Sequence, residues 1–173
     1  DSVELFLNER SLGVRNWAGV KEVKLSWQVP YEPGTLRAVA RKGGRVVDED
    51  RVETTSAPAR LELVVDRPAI RADGQDLAFV TVRIVDARGR LSRVDGNQLV
   101  RFTLAGRGKI AGVDNGDPTN HEPFIGPTPH AAQHRAFNGL ALIVIRAPRT
   151  GGTMTLSAQA DGLSAASVRI LAR

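Results

Sequence analysis

Short apolar runs that alternate with polar residues at a period of two, cut at close intervals by glycine and proline, dominate this chain. Val3-Glu4-Leu5-Phe6-Leu7, Lys24-Leu25-Ser26-Trp27-Gln28-Val29, Leu36 to Ala40 and Val46 to Val52 are separated by Gly13, Pro30, Pro33-Gly34 and Gly43-Gly44. Successive side chains of a strand point to opposite faces, so this pattern predicts half-buried antiparallel strands joined by tight turns. In the Trp27 run, Leu25, Trp27 and Val29 share one face, which makes Trp27 a core residue by preference over a ligand platform. No stretch carries a sustained helical period with cap signals.

Thr54-Thr55-Ser56-Ala57-Pro58 reads as a boundary, after which the same grammar resumes with longer strands. Leu61, Leu63 and Val65 alternate with Glu62 and Val64, and Ala69 to Gln75 reads as a strand closing on an Asp-Gly turn. Ala78, Val80, Val82 and Ile84 share a face, as do Val100, Phe102 and Leu104. Leu140 to Ile145 is apolar on both faces, and Met154, Leu156 and Ala158 precede a last strand over Ala165 to Leu171. The expected class is all-β: two antiparallel β-sandwich domains in tandem, Ig-like or fibronectin-like, over residues 1–56 and 57–173.

The chain contains no cysteine, which removes disulfides, thiolate metal sites and cysteine nucleophiles. No apolar run approaches the roughly 20 residues of a membrane helix. The net charge of +5 belongs wholly to the second part, because residues 1–56 carry 9 basic and 9 acidic side chains. The arginines of the second part stand singly along strands and turns, without the clustering and aromatic interleaving of a nucleic-acid groove. The chain begins at Asp1, holds its single Met at position 154 and shows no signal-like segment, which points to an excised piece or a processed product.

Between Leu104 and the Phe137-Asn138-Gly139 turn lie more than 30 residues with one short strand candidate, near Lys109-Ile110-Ala111. Structureless loops beyond about 12 to 15 residues in compact domains are commonly functional or disordered. This one holds all three histidines, His121, His130 and His134. Its candidate docking or ligand residues are Asp114, Asn115, Asp117, His121, Glu122 and Phe124. The acidic and amide side chains with Gly116 suit a calcium loop in chemistry, but their spacing matches no EF-hand, and a solvated turn or docking loop is the stronger reading. For zinc, nothing forces His130 and His134 onto one helical turn, since Pro127 and Pro129 precede them. No Gly-x-Ser-x-Gly elbow occurs, and nothing places two carboxyls across a cleft at glycosidase separation. No cofactor is expected. Trp17, in the turn-like segment Val14 to Gly19, and Tyr31 are the candidate sugar-stacking residues, with packing on a domain edge as the competing reading.

Several runs together resemble a known family. Asp1-Ser2-Val3-Glu4-Leu5-Phe6-Leu7-Asn8, Ser11-Leu12-Gly13 and Trp27-Gln28-Val29-Pro30-Tyr31-Glu32-Pro33-Gly34-Thr35-Leu36 are similar to the first C-terminal β-sandwich of bacterial β-galactosidases of glycoside hydrolase family 2. Ala72-Asp73-Gly74-Gln75-Asp76-Leu77-Ala78-Phe79-Val80-Thr81-Val82, Gly108 to Pro118, Glu122-Pro123-Phe124 and Arg135-Ala136-Phe137-Asn138-Gly139 resemble the bacterial Ig-like domain that follows it. The resemblance implies a first domain without its leading strand and therefore with an open edge. It also implies a changed hairpin turn, because Asn8-Glu9-Arg10 stands where Asn-Gly-Lys is usual. The sugar-binding, jelly-roll and barrel domains, with both catalytic glutamates, would lie upstream, so no catalytic residue carries over.

What the resemblance implies is a non-catalytic accessory region of a β-galactosidase-like hydrolase, periplasmic or extracellular. It would pack on the upstream catalytic domain of the same polypeptide or on a neighbouring subunit. A carbohydrate-binding module and a plain spacer are the competing classes, since fold does not fix function. No nucleic-acid partner and no membrane span are expected.

Overall fold

The computed structural model describes residues 1–17 and 24–173, which contain strands, turns and irregular segments and no helix. They divide into two compact units, Asp1–Thr54 and Thr55–Arg173.

The first unit holds strands β1 (Ser2–Leu7), β2 (Arg10–Asn16), β3 (Thr35–Lys42) and β4 (Arg45–Glu53) in one antiparallel sheet, ordered β2-β1-β3-β4. The β1–β2 hairpin closes on Asn8 and Glu9 at φ of 51° and 64°, so the tight two-residue turn is made without glycine. Asn8 compensates by bracing the turn: its Nδ2 donates to Glu32 Oε1 and the Pro33 carbonyl, and its Oδ1 accepts from Thr35 N. Val14 to Asn16, expected in a turn, finish β2, because Val14 and Arg15 find register partners in Glu4 and Val3. Ala18 and Gly19 of that expected turn lie outside the described residues.

Lys24 to Val29 corrects another expectation. The segment has the predicted alternation, with Leu25, Trp27 and Val29 half-buried and Lys24, Ser26 and Gln28 exposed, yet it joins no ladder among the described residues. Side-chain alternation reports which side faces the sheet; it does not supply a backbone partner. Trp27 packs under the Arg15 guanidinium, 5.5 Å from its ring centroid.

The second unit is a two-layer sandwich. One sheet runs β10-β8-β12-β13-β6 and the other β5-β7-β11-β9. Their strands are β5 (Pro58–Val65), β6 (Ala69–Ile70), β7 (Leu77–Asp86), β8 (Leu99–Ala105), β9 (Lys109–Asp114), β10 (Ala131–Arg135), β11 (Leu140–Arg146), β12 (Gly152–Gln159) and β13 (Ala166–Ala172). The inward rows Val80, Val82 and Ile84, Val100 and Phe102, Ile143 and Ile145, Met154 and Leu156, and Ile170 fill the space between the layers, each essentially inaccessible to water. The β11 run, apolar on both faces, buries one of them: Ala141, Ile143 and Ile145 are inside, Val144 is half-buried and Leu142 is at the surface.

Strand β6 is shorter than the predicted Ala69 to Gln75 because carboxylates take over the backbone. Asp73 Oδ1 accepts from Gln75 N and Asp76 N, and Asp76 Oδ2 from Arg71 N. Asp86, fully buried at the end of β7, is the hub of a larger knot. Its carboxylate accepts from Ser56 N and Oγ, from the amides of Arg88 and Arg90, and from the Arg90 guanidinium at 2.7 to 2.8 Å. Burial pushes its pKa up, but the Arg90 guanidinium and the amides of Arg90, Ser56 and Arg88 outweigh it and hold the carboxyl well below the usual carboxylate range.

Candidate functional site

The long loop is more ordered by strands than its sequence suggests. Strand β9 occupies 109–114 and β10, absent from the expected strands, occupies 131–135, so the irregular stretch is 115–130. It connects β9 of one sheet to β10 of the other and closes the side of the sandwich between them.

Its conformation follows from a series of side-chain turns. Asp114 Oδ1 accepts from Asn115 N and Gly116 N, Asn115 Oδ1 from Asp117 N, Asp117 Oδ1 from Thr119 N and Oγ1, and Asn120 Oδ1 from Glu122 N. Short Asp and Asn side chains that bond amides one or two residues on mimic backbone turns and fix the path of the chain. The Thr119 amide and hydroxyl, helped by His121, also lower the pKa of Asp117. These oxygens face backbone donors, and among the described residues no three His, Asp or Glu side chains are grouped to hold a metal ion.

Glu122 anchors the far half of the loop. One carboxylate oxygen accepts from Arg135 N at 2.7 Å and lies 3.5 Å from His134 Nδ1; the other lies 3.3 Å from Arg135 Nε. Two residues on, Phe124 stacks on the buried His134 ring with centroids 6.5 Å apart, while its carbonyl accepts from Val113 N. Gly126 completes the seat, since a Cβ there would fall 2.0 Å from the Ala131 carbonyl oxygen. The loop is thus clamped to β9 and β10 and leaves Phe124 and Ile125 58% and 74% exposed.

Of the predicted loop residues, Glu122 and Phe124 meet at one point, Asp114, Asn115 and Asp117 shape the approach to it, and His121 stands exposed. His134, weighed from the sequence only as a metal ligand, and Arg135 complete the arrangement, and neither was among the expected docking residues. Their signal was the position of His134 between Gln133 and Arg135, a lone imidazole two residues after Ala132 and so on the same inward side.

The predicted stacking pair is rearranged. Trp17 follows β2, donates its amide to the Asp1 carbonyl and is 43% exposed, but it does not line the groove that holds Tyr31. That groove of the first unit, about 310 Å³, is lined by Tyr31, Trp27 and Pro30 together with Leu7 and Leu12. Arg10 and Glu32 pair across its rim at 3.6 Å.

Residues 61–169 match the family described as glycoside hydrolase family 2 C-terminal domain 5, and residues 1–48 match a domain of unknown function, DUF4982. The chain is similar to the β-galactosidase BoGH2A of Bacteroides ovatus, 41% identical over 172 residues that make up 99% of this chain and 19% of that protein. It is also similar to a β-glucuronidase of Formosa agariphila, 26% identical over 171 residues, 98% of this chain and 17% of that protein. Among solved structures, a glycosyl hydrolase family 2 member from Bacteroides cellulosilyticus superposes with a TM-score of 0.92 at 32% identity, over 99% of this chain and 21% of that one. A β-glycosidase from Bacteroides vulgatus superposes with a TM-score of 0.87 at 29% identity, again over 99% and 21%. The chain therefore spans about a fifth of the length of these relatives.

Proposed function

Because this chain belongs to the glycoside hydrolase family 2 C-terminal domain 5 family through residues 61–169, we propose that it is the non-catalytic accessory region of a bacterial enzyme that releases terminal β-galactosyl residues with retention of configuration. A retaining mechanism needs two carboxyl groups about 5 to 5.5 Å apart, and we assign these to a barrel upstream in the same polypeptide. The galactosidase assignment is supported by the Bacteroides ovatus relative, and an exported location accords with the bacterial relatives.

The observation that carries the accessory role is the clamped loop. A loop held by Glu122, Phe124 and Gly126 while it presents Phe124 and Ile125 to the outside is built to touch something beyond the unit. We take the contact to be the catalytic barrel or a neighbouring subunit, where the loop shapes the surroundings of the active site. Replacing residues 114–124 by a short Gly-Ser link in the longer enzyme should lower kcat/KM on an aryl β-galactoside or change the oligomeric mass. Unchanged kinetics and mass would sink this reading.

A second reading rests on the first unit's groove. Tyr31, 82% exposed beside Trp27, offers a flat apolar surface, and the Arg10–Glu32 pair offers donors and acceptors at its edge, the chemistry that suits a neutral sugar ring. Under this reading Trp fluorescence shifts saturably with galactose-containing oligosaccharides and the shift disappears in Trp27→Phe. A docking module shows no saturable change.

A further inference from the structure

The two outer faces of the second unit differ in kind. Strand residues in register share a face, so the outward rows can be read from the pairing. On the β10-β8-β12-β13-β6 sheet the outward row across β8, β12 and β13 is Thr103, Ser157 and Ser167, with Arg101 and Gln159 on one side and Thr155 and Arg169 on the other. That face is mostly polar and solvated, with Leu171, 42% exposed beside Thr153, as its large apolar side chain at the surface. On the β5-β7-β11-β9 sheet one row is Val64, Thr81 and Leu142, ending on Asp114 at the β9 edge, and the next is Phe79, Val144 and Gly112. Val64, Phe79 and Leu142 are 51%, 40% and 36% exposed. An apolar centre with charged flanks is the anatomy of an interface.

We propose that this outer face docks onto another part of the same polypeptide, an apolar surface edged by carboxylates. The proposal rests on the reading that the chain is one region of a larger glycosidase. Three observations select this occupant. The apolar centre, three strands wide at about 4.8 Å spacing and two rows deep, covers on the order of 200 Å². Free partners that associate stably bury about 800 Å² on each side, so this apolar centre by itself is too small to recruit a separate molecule. A tethered partner works at millimolar effective concentration and needs far less surface, and the relatives carry about four-fifths of their length outside the matched region. Second, the flanks are not alike. On one side Glu62 holds both Arg83 at 2.8 Å and Arg60 at 2.9 Å, so each cation there has a carboxylate, whereas Lys109 and Arg146, register partners on the other, form no ion pair among the described residues. That leaves a cationic edge that matches carboxylates. Third, the face continues into the loop, because Val113, next to Gly112, donates to the Phe124 carbonyl and so sets Phe124 and Ile125 just beyond the β9 edge.

The absence of cysteine allows a direct test. Leu142→Cys and, on the opposite face, Thr155→Cys are made in the 173-residue chain and in the longer polypeptide that contains it. Maleimide labelling is followed by mass spectrometry of the peptide holding each new thiol, with circular dichroism as a check on folding. The expected result is rapid labelling of both thiols in the 173-residue chain at every protein concentration. In the longer polypeptide the thiol at position 142 should slow by at least tenfold while that at 155 does not change. Phe79→Arg, placed beside it, should restore rapid labelling at 142. Equal labelling at 142 in both contexts overturns the proposal. So does protection at 142 in the 173-residue chain that grows with concentration, which would identify a second copy as the occupant. Loss of activity on removal of residues 114–124 is a separate readout, so failure of the loop reading and failure of this one are distinguishable.

Discussion

The two units solve the same problem by different means. In the second, two sheets enclose a shared interior, and side chains as large as Phe102, Ile84 and Ile143 are removed from water. In the first, the described strands form one sheet, only Leu5, Leu7 and Val39 are buried among the described residues, and β4 is exposed along nearly its whole length, including Val46, Val47 and Val52. What the first unit has instead is backbone pairing and a surface of ion pairs. Arg37 bridges Glu9 at 2.9 Å and Glu49 at 3.3 Å while lying over the Phe6 ring at 4.5 Å. Exposed pairs contribute about 0–1 kcal/mol each, whereas a buried aliphatic side chain contributes about 1.5–3 kcal/mol. The contrast teaches that similar strand grammar does not mean similar stability: what decides it is whether a second layer covers the apolar rows.

The sharpest way to break the comparison is to cut one core residue in each unit. Ile143→Ala should cost about 2–5 kcal/mol, because the site is walled by both sheets and collapses poorly. Leu5→Ala should cost distinctly less, since its surroundings are half open to water. Calorimetry on the two variants checks this, and equal losses would show that the first unit has a closed core as well.

Asp86 tests the other side of the contrast, a charge that belongs to the well-buried unit. Asp86→Asn keeps the shape but gives up the charge that faces Arg90, and should lower the thermal midpoint of the second unit by about 10 °C or more. The sign of the pH dependence follows from the depressed carboxyl. A lowered folded pKa contributes stability that is fully present above the unfolded value of about 3.9 and is lost as the pH falls through the folded one. The gap between the original protein and Asp86→Asn should therefore be constant from pH 7 to about 5 and shrink below about 4. A gap that widens in acid would contradict this origin.

These contrasts also mark what the sequence could tell. The inward rows around Phe102, Ile84 and Met154 were legible because large apolar residues recur there at a period of two. Strand β10 was not, because its inward residues are Ala132 and His134, one small and one polar, and no apolar period betrays it. Lys24 to Val29 showed its alternation plainly, but whether its backbone finds a partner is a property of the rest of the fold. The groove was partly legible: Trp27, Val29 and Tyr31 stand at a period of two and so point one way, a better guide to Tyr31's neighbour than the exposed position of Trp17. Glu122 was legible as a polar loop residue, but its anchoring role depends on Arg135, thirteen residues away on a strand without apolar pattern.

The smallest effect on stability, and the one that most directly concerns how a half-covered sheet stays apart from its neighbours, is expected at the β4 edge. An edge strand offers unpaired amides to any other strand, and one with exposed valines offers apolar surface too. In β4, the amides of Glu49 and Arg51 donate to the carboxylates of the residues just before them, Asp48 at 2.9 Å and Asp50 at 2.8 Å, rather than to a neighbouring strand. The acids thus occupy the donors that a second chain would use, and add charge that repels a like edge. Removing both by Asp48→Ala and Asp50→Ala should change unfolding stability by less than about 0.5 kcal/mol, since surface positions rarely matter more. The same variant should self-associate where the original does not, with a concentration-dependent rise in light scattering. Equivalent substitutions at Arg101 and Thr103, in the interior strand β8, should leave scattering unchanged. Equal behaviour of the two variants would mean that the carboxylates do not guard the edge, and that Val46, Val47 and Val52 are kept from other chains by something other than the charge beside them.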